Sequence, residues 1–541
     1  MSLIFQGTEQ TNANTNDIIQ SMKIESVNLG ETGTFSPIFL DYLKEEPSLK
    51  KFYNYPPSRE NFKEIIDARS FPSNGRKILV DVLNRQYHSI KLSKAVKENI
   101  DALHDEKTFT ITTGHQLNIF SGPLYFIYKI VTCILTAKVL KKEYPDYNFV
   151  PVYWMASEDH DFAEINHFTL FGKTYSWETD QSGAVGRYNP EAIKSILDAL
   201  PEKVEIFEKA YLQHKSLADA TRYFVNDLFG EEGLVIIDAD NSDLKNQFKS
   251  VIKDDLTANN AGKIIQDTSS ELSSSGYKVQ VSPREINLFY MDENLRERIV
   301  FNEKIYKILN SELEFTEKEI LELVDKSPEK FSPNVVLRPL YQEIILPNIA
   351  YVGGPAEIAY WLQLKQVFEF YKISFPILMP RNFGMIVNKT LAKKIKKLNL
   401  QVKDLFLGLQ SLKNTFIAEN TSNNLSLHKE QEVLKQVYLS VLHKALLVDQ
   451  SLEGMIGAEN AKAEKGIENI EKRLKKAEEK NQEVAIKQIE NITEKLFPEN
   501  GLQERTENFL NFYINNPSII KYFIENFDPF DFRFHIIMEN E

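Results

Sequence analysis

The stretch "TTGHQLNIFSGPLYFIYK", residues 112–129, decides the fold. It closes a run of β-formers, "TFTITT" (108–113), and opens a long apolar segment after Ser-Gly-Pro. Such a run, bounded by turn residues and followed by helical spacing, predicts strand, polar loop, helix. Gly114 has no Cβ, so backbone there can approach a ligand. Gly122 and Pro123 read as an N-cap followed by proline at the first helical position. Leu124, Ile127, Tyr128, Val131 and Leu135 give that helix its buried face. A helix N-terminus attracts anions through free N–H groups and its dipole. In parallel sheets ligands sit beyond the carboxyl ends of strands. The unit therefore places Thr113, Gly114, His115, Gln116, Asn118, Ser121 and Gly122 at a ligand site.

The same alternation continues outward. Further candidate strands are "FVPVYWMA" (149–156), "GLVIIDAD" (233–240), "NVVLRPL" (334–340) and "FPILMPR" (375–381), all nearly continuous apolar runs, as in strands covered on both faces. Residues 22–386 thus read as an α/β, Rossmann-like core with a mostly parallel sheet, interrupted at about 168–225 by an insertion with its own strand, helix and turn signals. From 387 to 497 glycine and proline nearly vanish. Ile467, Ile470, Leu474, Ala477 and Val484 keep 3-4 spacing, with Asn481 on the seam, and Ile489, Ile492 and Leu496 resume it. That pattern predicts an antiparallel coiled coil turning at "AENTSNNLS" (418–426). Its second arm, 427–496, spans on the order of 100 Å, with a kink or break expected at Gly454, Gly457 or Gly466. The aromatic tail, 498–541, is expected to dock on the core.

Composition bounds the rest. The chain has 541 residues, 42% hydrophobic and 11% aromatic, with a net charge of −13. That balance suits a folded globular protein and argues against a nucleic-acid partner, which selects a basic face. One cysteine, Cys133, excludes an intrachain disulfide and a thiolate-rich zinc site, and fits a reducing, cytoplasmic setting. Cys133 lies inside the apolar helical run and reads as core. No run reaches the ~18 apolar residues of a membrane span, so neither a membrane nor a metal partner is expected. "MKIESVNL" from Met22 looks like a natural beginning, which makes residues 1–21 a leader or cloning scar.

Other strand ends carry chemistry too. "YWMASEDHDFAEINH" (153–167) sets Glu158, Asp159, His160 and Asp161 side by side, groups able to hold an ammonium or hydroxyl, or to act as a base. His160 and His167 stand seven apart, which is not a metal-ligating spacing. In "YVGGPAEIAYW" (351–361), Gly353, Gly354 and Glu357 open a phosphate-compatible turn that lacks the GxGxxG spacing. Arg338 and the pair Arg381–Asn382 follow strand-like runs, and arginine forks match carboxylates and phosphates. No Walker loop, Gly-x-Ser-x-Gly elbow or HExxH occurs.

Five motifs, "TTGHQLNIFSGPLYFIYKI", "PVYWMASEDHDFAEINH", "VSPREINLFY" (281–290), "LRPLYQEIILPNIAYVGGPAEIAYW" and "LFPENGLQER", occur in this order from Thr112 to Arg505. Together they resemble the BshC family, the cysteine ligases of bacillithiol biosynthesis. The resemblance implies a core related to class I aminoacyl-tRNA synthetases, a connective-peptide insertion, a coiled-coil domain and a homodimer formed through it. It implies amide formation between the carboxyl of L-cysteine and the amine of glucosaminyl malate. On that reading the loop 113–122 holds the activating group, and Asp159 and Asp161 hold an ammonium or deprotonate the amine. Arg338 and Arg381 bind the malate carboxylates, and Arg284 joins the substrate-binding set. The activating cofactor is left open between ATP with Mg²⁺ and another activated donor, and no structural zinc is expected. The family pattern has Gln where this chain has His115, so His115 is expected to orient a ligand rather than carry a proton. The synthetases' Lys-rich second signature loop has no counterpart here. Two rivals follow from the same residues: a degenerate ligand-binding scaffold that presents a coiled coil to a partner, which would not need converging polar strand ends, and a tRNA-charging relative, which the acidic charge disfavours.

Overall fold

The computed structural model describes residues 22–421 and 425–539; the leader expected at 1–21 lies outside them. The chain divides into two compact units. The first holds residues 28–384 and 503–535, the second residues 22–27, 385–502 and 536–539. No helix of the described residues is long and apolar enough to cross a membrane.

The first unit is built on five parallel strands, β1 (Thr108–His115), β2 (Asn148–Met155), β3 (Val235–Asp238), β4 (Asn348–Gly353) and β5 (Ile377–Pro380), in the order β5-β4-β1-β2-β3. Every residue of β1 up to Gly114 is buried. Its threonines are tolerated there because they are bonded: Thr110 and Thr112 Oγ1 both donate to Asn348 Oδ1, at 3.1 and 2.8 Å. Helix α1 (Tyr125–Glu143) lies against the sheet, with Cys133 and Ala137 packed on Ile111, Ala350 and Ile377. The Cys133 thiol donates to the Ile111 carbonyl at 2.9 Å, and burial pushes its pKa up to about 12, so it is core, not nucleophile.

Three local expectations are overturned. Residues 334–340 form no strand: the Asn334 side chain accepts from the N–H groups of Val336 and Leu337, and the chain turns into helix α2 (Arg338–Ile345) with Pro339 in its first turn. The fourth strand is instead β4, 348–353. Helix α1 begins at Tyr125, not at Pro123, and the turn before it is closed. Phe120, Ser121 and Gly122 all have positive φ, Leu124 N–H donates to the Glu507 carbonyl at 2.9 Å, and Asn508 Nδ2 donates to the Phe120 and Gly122 carbonyls. A Cβ on Gly122 would meet the Asn118 Cβ at 2.6 Å, which fixes glycine there. Residues 507–508 thus occupy the place where a helix-terminal anion was expected.

Residues 167–229 contribute a hairpin, His167–Leu170 with Lys173–Ser176, and the helices Lys194–Ala199, Glu205–Gln213 and Leu217–Phe229. A second, antiparallel five-stranded sheet runs from Leu288 to Pro333. In the tail, Phe509 and Phe523 are fully buried, and the Phe523 ring lies 5.2 Å from Tyr128. Helix α3 (Pro355–Trp361) follows β4.

In the second unit, helices α4 (His428–Leu446) and α5 (Glu453–Asn481) pack as an antiparallel hairpin. The turn falls at residues 447–452, where Asp449 accepts from the Ser451 N–H at 2.8 Å; within the expected 418–426 a helix ends at Asn420, and residues 422–424 lie outside the described residues. The single long arm is therefore two. Gly454, Gly457 and Gly466 all lie inside α5 without breaking it, because a glycine costs only about 1 kcal/mol in a helix that packing supports. A further helix, Glu483–Leu496, buries Ile486 and Ile489 against Leu412 and Phe416.

Candidate functional site

The carboxyl ends of β1, β2, β4 and β5 open on a cavity of about 270 Å³. Gly114, His115 and Gln116 line it from β1, Trp154 and Ala156 from β2, and Gly354 and Glu357 from the turn after β4. Arg338 enters from α2, Tyr125 and Lys129 from α1, Arg381 from the end of β5, and Arg505 from the tail segment. Four cationic side chains thus face one carboxylate, Glu357.

Lys129 organises one wall. It is 3% exposed, and its ammonium donates to both Glu357 oxygens, at 2.9 and 2.8 Å, and to the Gly114 carbonyl. Tyr351 Oη (2.6 Å) and Gly354 N–H (2.8 Å) complete the Glu357 shell. Burial alone would raise the Glu357 pKa, but Lys129 beside it holds the carboxyl below its usual range. Burial lowers the Lys129 pKa against the pull of Glu357. The Arg381 guanidinium, 2% exposed, is held by Glu504 at 2.6 Å.

His115 stacks on Tyr125, with ring centroids 5.2 Å apart, and its Nε2 is buried with no hydrogen-bond partner. Burial, reinforced by the Lys129 charge, pushes its pKa down to about 3. The ring stays neutral at physiological pH, so it presents a neutral hydrogen-bonding group to the cavity. Gln116 Nε2 donates to Asp159 at 2.9 Å and to Glu164 at 2.7 Å. Arg338 lies between the Trp154 and Tyr351 rings, 5.6 Å from each, and donates through Nη1 to Gln342 at 3.0 Å. Its Nη2 is buried and unpartnered.

A second cavity, of about 420 Å³, shares Trp154, Ala156 and Arg338 with the first. Glu158, Asp159 and His160 line it from the end of β2, with Arg284, Phe289 and Arg296. Burial would raise the Asp159 pKa, but hydrogen bonds from His160 and Gln116, and the Arg296 charge, hold it well below the carboxylate range. Glu158 pairs with the fully buried Lys245 at 2.6 Å and accepts from Ser332 at 2.8 Å. The Arg296 guanidinium lies 4.0 Å from the centre of the Phe289 ring and bonds to His160 Nδ1.

Several expected site residues are not brought to either cavity. Thr113 donates to the Val352 carbonyl at 2.9 Å, tying β1 to β4. Asn118 donates to the Glu164 carbonyl, while Ser121 and Gly122 belong to the closed turn. Asp161 caps the short helix Phe162–Ile165. Gly353 lies behind the wall, where a Cβ would meet Tyr351 at 3.1 Å. Asn382 accepts from Thr132 Oγ1 at 2.9 Å and donates to the Asp528 carbonyl, which makes it scaffold. Lys129, Arg505, Lys245 and Arg296 were missed. Lys129 left a signal, a single lysine inside "YFIYKIVTCIL"; the other three have none that local pattern reveals.

Comparison with known proteins bears on both units. The family model described as bacillithiol biosynthesis BshC, N-terminal Rossmann-like domain, matches residues 22–382, and that of the C-terminal coiled-coil domain matches residues 384–539. A Flavobacterium psychrophilum protein named "Putative cysteine ligase BshC" is 45% identical over 95% of this chain and 99% of its own length. Proteins of the same name from Flavobacterium johnsoniae and Cytophaga hutchinsonii are 43% and 40% identical, each over 95% of this chain and 100% and 99% of their own lengths. With both domains matched in order and the relatives covered almost end to end, the chain belongs to the BshC family of bacillithiol biosynthesis.

Proposed function

We propose that this chain is a ligase that joins the carboxyl of L-cysteine to the amine of glucosaminyl malate, the last step of bacillithiol biosynthesis. The observation that carries the reading is the first cavity: Lys129, Arg338, Arg381 and Arg505 against the single carboxylate Glu357, at the carboxyl end of a parallel sheet. Such an excess of cations suits a dicarboxylate such as the malate moiety, and Trp154, Tyr125 and Tyr360 offer apolar faces to a sugar. Amide formation from a free carboxylate requires activation, so a nucleoside triphosphate, ATP with Mg²⁺, is part of the proposal. A carboxylate oxygen attacks the γ- or α-phosphorus of ATP, whose P–O bond breaks to release ADP or pyrophosphate; the amine then attacks the carbonyl carbon, the C–O bond breaks, and phosphate or AMP leaves with loss of one N–H proton. Neutral His115 and Gln116 orient the reactants. A cytoplasmic homodimer paired along α4 and α5 completes the reading. Its support is the run of apolar side chains left exposed there, Val433 at 65%, Val437 at 52% and Ile470 at 54%.

The test is reconstitution read by mass spectrometry. Purified protein is mixed with glucosaminyl malate and cysteine, with and without ATP and Mg²⁺. Product that appears only with ATP, with matching release of AMP or ADP, is the expected result. Absence of product in every mixture overturns the ligase assignment for the isolated chain.

A further inference from the structure

The second cavity differs from the first in its charge. It sets two carboxylates, Glu158 and Asp159, among three guanidinium groups, Arg284, Arg296 and Arg338, with Lys245 buried behind Glu158, whereas the first cavity has one lining carboxylate. Both carboxylates stand fixed in place, Asp159 by Gln116 and backbone N–H groups, Glu158 by Lys245 and Ser332. Its remaining walls, among them Phe289, Pro333 and Val281, are apolar. A site that presents fixed groups of both signs favours a molecule that carries both signs over one that carries only one. The wall between the cavities holds the unpartnered Arg338 Nη2. A buried guanidinium N–H without an acceptor costs free energy that a ligand oxygen recovers.

We propose that the second cavity is the subsite for the zwitterionic amino-acid substrate, with its ammonium toward Glu158 and Asp159 and its carboxyl at Arg338, on the wall shared with the cavity that takes the anionic glycoside. This rests on the ligase reading for the identity of the two substrates. The arrangement brings the two reacting groups together at one point, the seam formed by Trp154, Ala156 and Arg338, with the Gln116–Asp159 hydrogen bond beside it. It also gives Arg338 a role on the reacting carboxyl rather than on malate alone. The cavity, about 420 Å³, is larger than a free amino acid, which leaves room for a phosphoryl group on the carboxyl.

The test fills each cavity separately in the full chain. Ser282→Trp blocks the second cavity from an exposed position, and Arg284→Ala is its milder companion. Ala356→Phe blocks the first. The expected result is that S282W raises the KM for cysteine at least tenfold and leaves that for glucosaminyl malate within twofold. R284A raises the cysteine KM several-fold, and A356F shows the reverse selectivity. Calorimetric titration gives a readout independent of turnover: the unaltered protein binds cysteine but neither 3-mercaptopropionate nor cysteamine, each of which lacks one charge, and S282W abolishes the binding. If ligation persists while S282W and R284A leave cysteine KM and binding unchanged, or weaken the glycoside instead, the subsite is refuted and the ligase reading stands. If cysteine binds and S282W removes it while no ligation occurs, the subsite stands and the ligase reading fails. No cysteine binding and no ligation by the unaltered protein refutes both.

Discussion

Replacing Glu343 by Gln should stabilise the protein, and more so as the pH rises. Glu343 is 1% exposed on α2. Its Oε1 accepts from Gln342 Nε2 at 2.8 Å and Asn348 Nδ2 at 2.7 Å, while Oε2 is buried without a partner. Burial, only partly offset by Arg69, Gln342 and Asn348, pushes its pKa from 4.5 up to about 7. The folded protein therefore keeps a proton that the unfolded chain releases above 4.5. Stability declines as pH rises from 4.5 to 7 and then levels off. At 1.36 kcal/mol per tenfold change in ionisation, the cost is about 0.8 kcal/mol at pH 5 and about 3 kcal/mol at pH 8. A glutamine amide keeps its oxygen on Gln342 and Asn348, sets its nitrogen where the protonated Oε2 stood, and never ionises. E343Q should thus gain about 2.5 kcal/mol more at pH 8 than at pH 5. At roughly 1.3 °C per kcal/mol for a domain of several hundred residues, that is a rise in Tm larger by about 3 °C at pH 8. Calorimetric melting of both proteins at the two pH values reads it directly. A difference that is the same at pH 5 and pH 8, or larger at pH 5, would refute a protonated Glu343 in the fold.

His115 titrates in the opposite sense. Its folded pKa of about 3 lies below the ordinary 6.5, so the unfolded chain binds a proton that the fold refuses, and stability falls as pH drops from 6.5 toward 3. H115Q should remove about 2 kcal/mol of that loss between pH 7.5 and pH 5, seen as a flatter dependence of urea midpoints on pH; an unchanged slope would place the ring in a solvated setting. H115Q should also retain ligation, since a ring held neutral shuttles no proton and glutamine keeps a hydrogen-bonding group there. Lys129→Met removes the cation bonded to the part-buried Glu357 and should cost about 1–3 kcal/mol. Adding Glu357→Gln should recover much of it, and a double-mutant cycle that gives strictly additive losses would contradict the ion pair.

The sequence by itself determined the parallel sheet's centre and many of the residues that line the two cavities. β1 and β2 are read correctly because strands buried on both faces need continuous apolar or β-branched residues, and His115, Gln116 and Asp159 follow because the chain must turn where such a run stops. The Val-Val-Leu run at 335–337 looked equally strand-like. Its fate was settled by Asn334, whose side chain caps a turn, and by Pro339, which favours a helix start. β4 was hidden inside a motif read as a glycine turn, since its strand character comes from neighbours on both sides rather than from its own length. The coiled coil's periodicity was legible, but the position of its turn was not: Gly454, Gly457 and Gly466 read as break signals, yet the helix runs through them, because a glycine weakens a helix by only about 1 kcal/mol. The tertiary structure alone decided which charges meet. Lys129 and Glu357 are 228 residues apart, Arg381 and Glu504 123 apart, and Lys245 reaches Glu158 from another helix. Local propensity carries no information on such pairs, because the energy that fixes them exists only when burial removes the water between them.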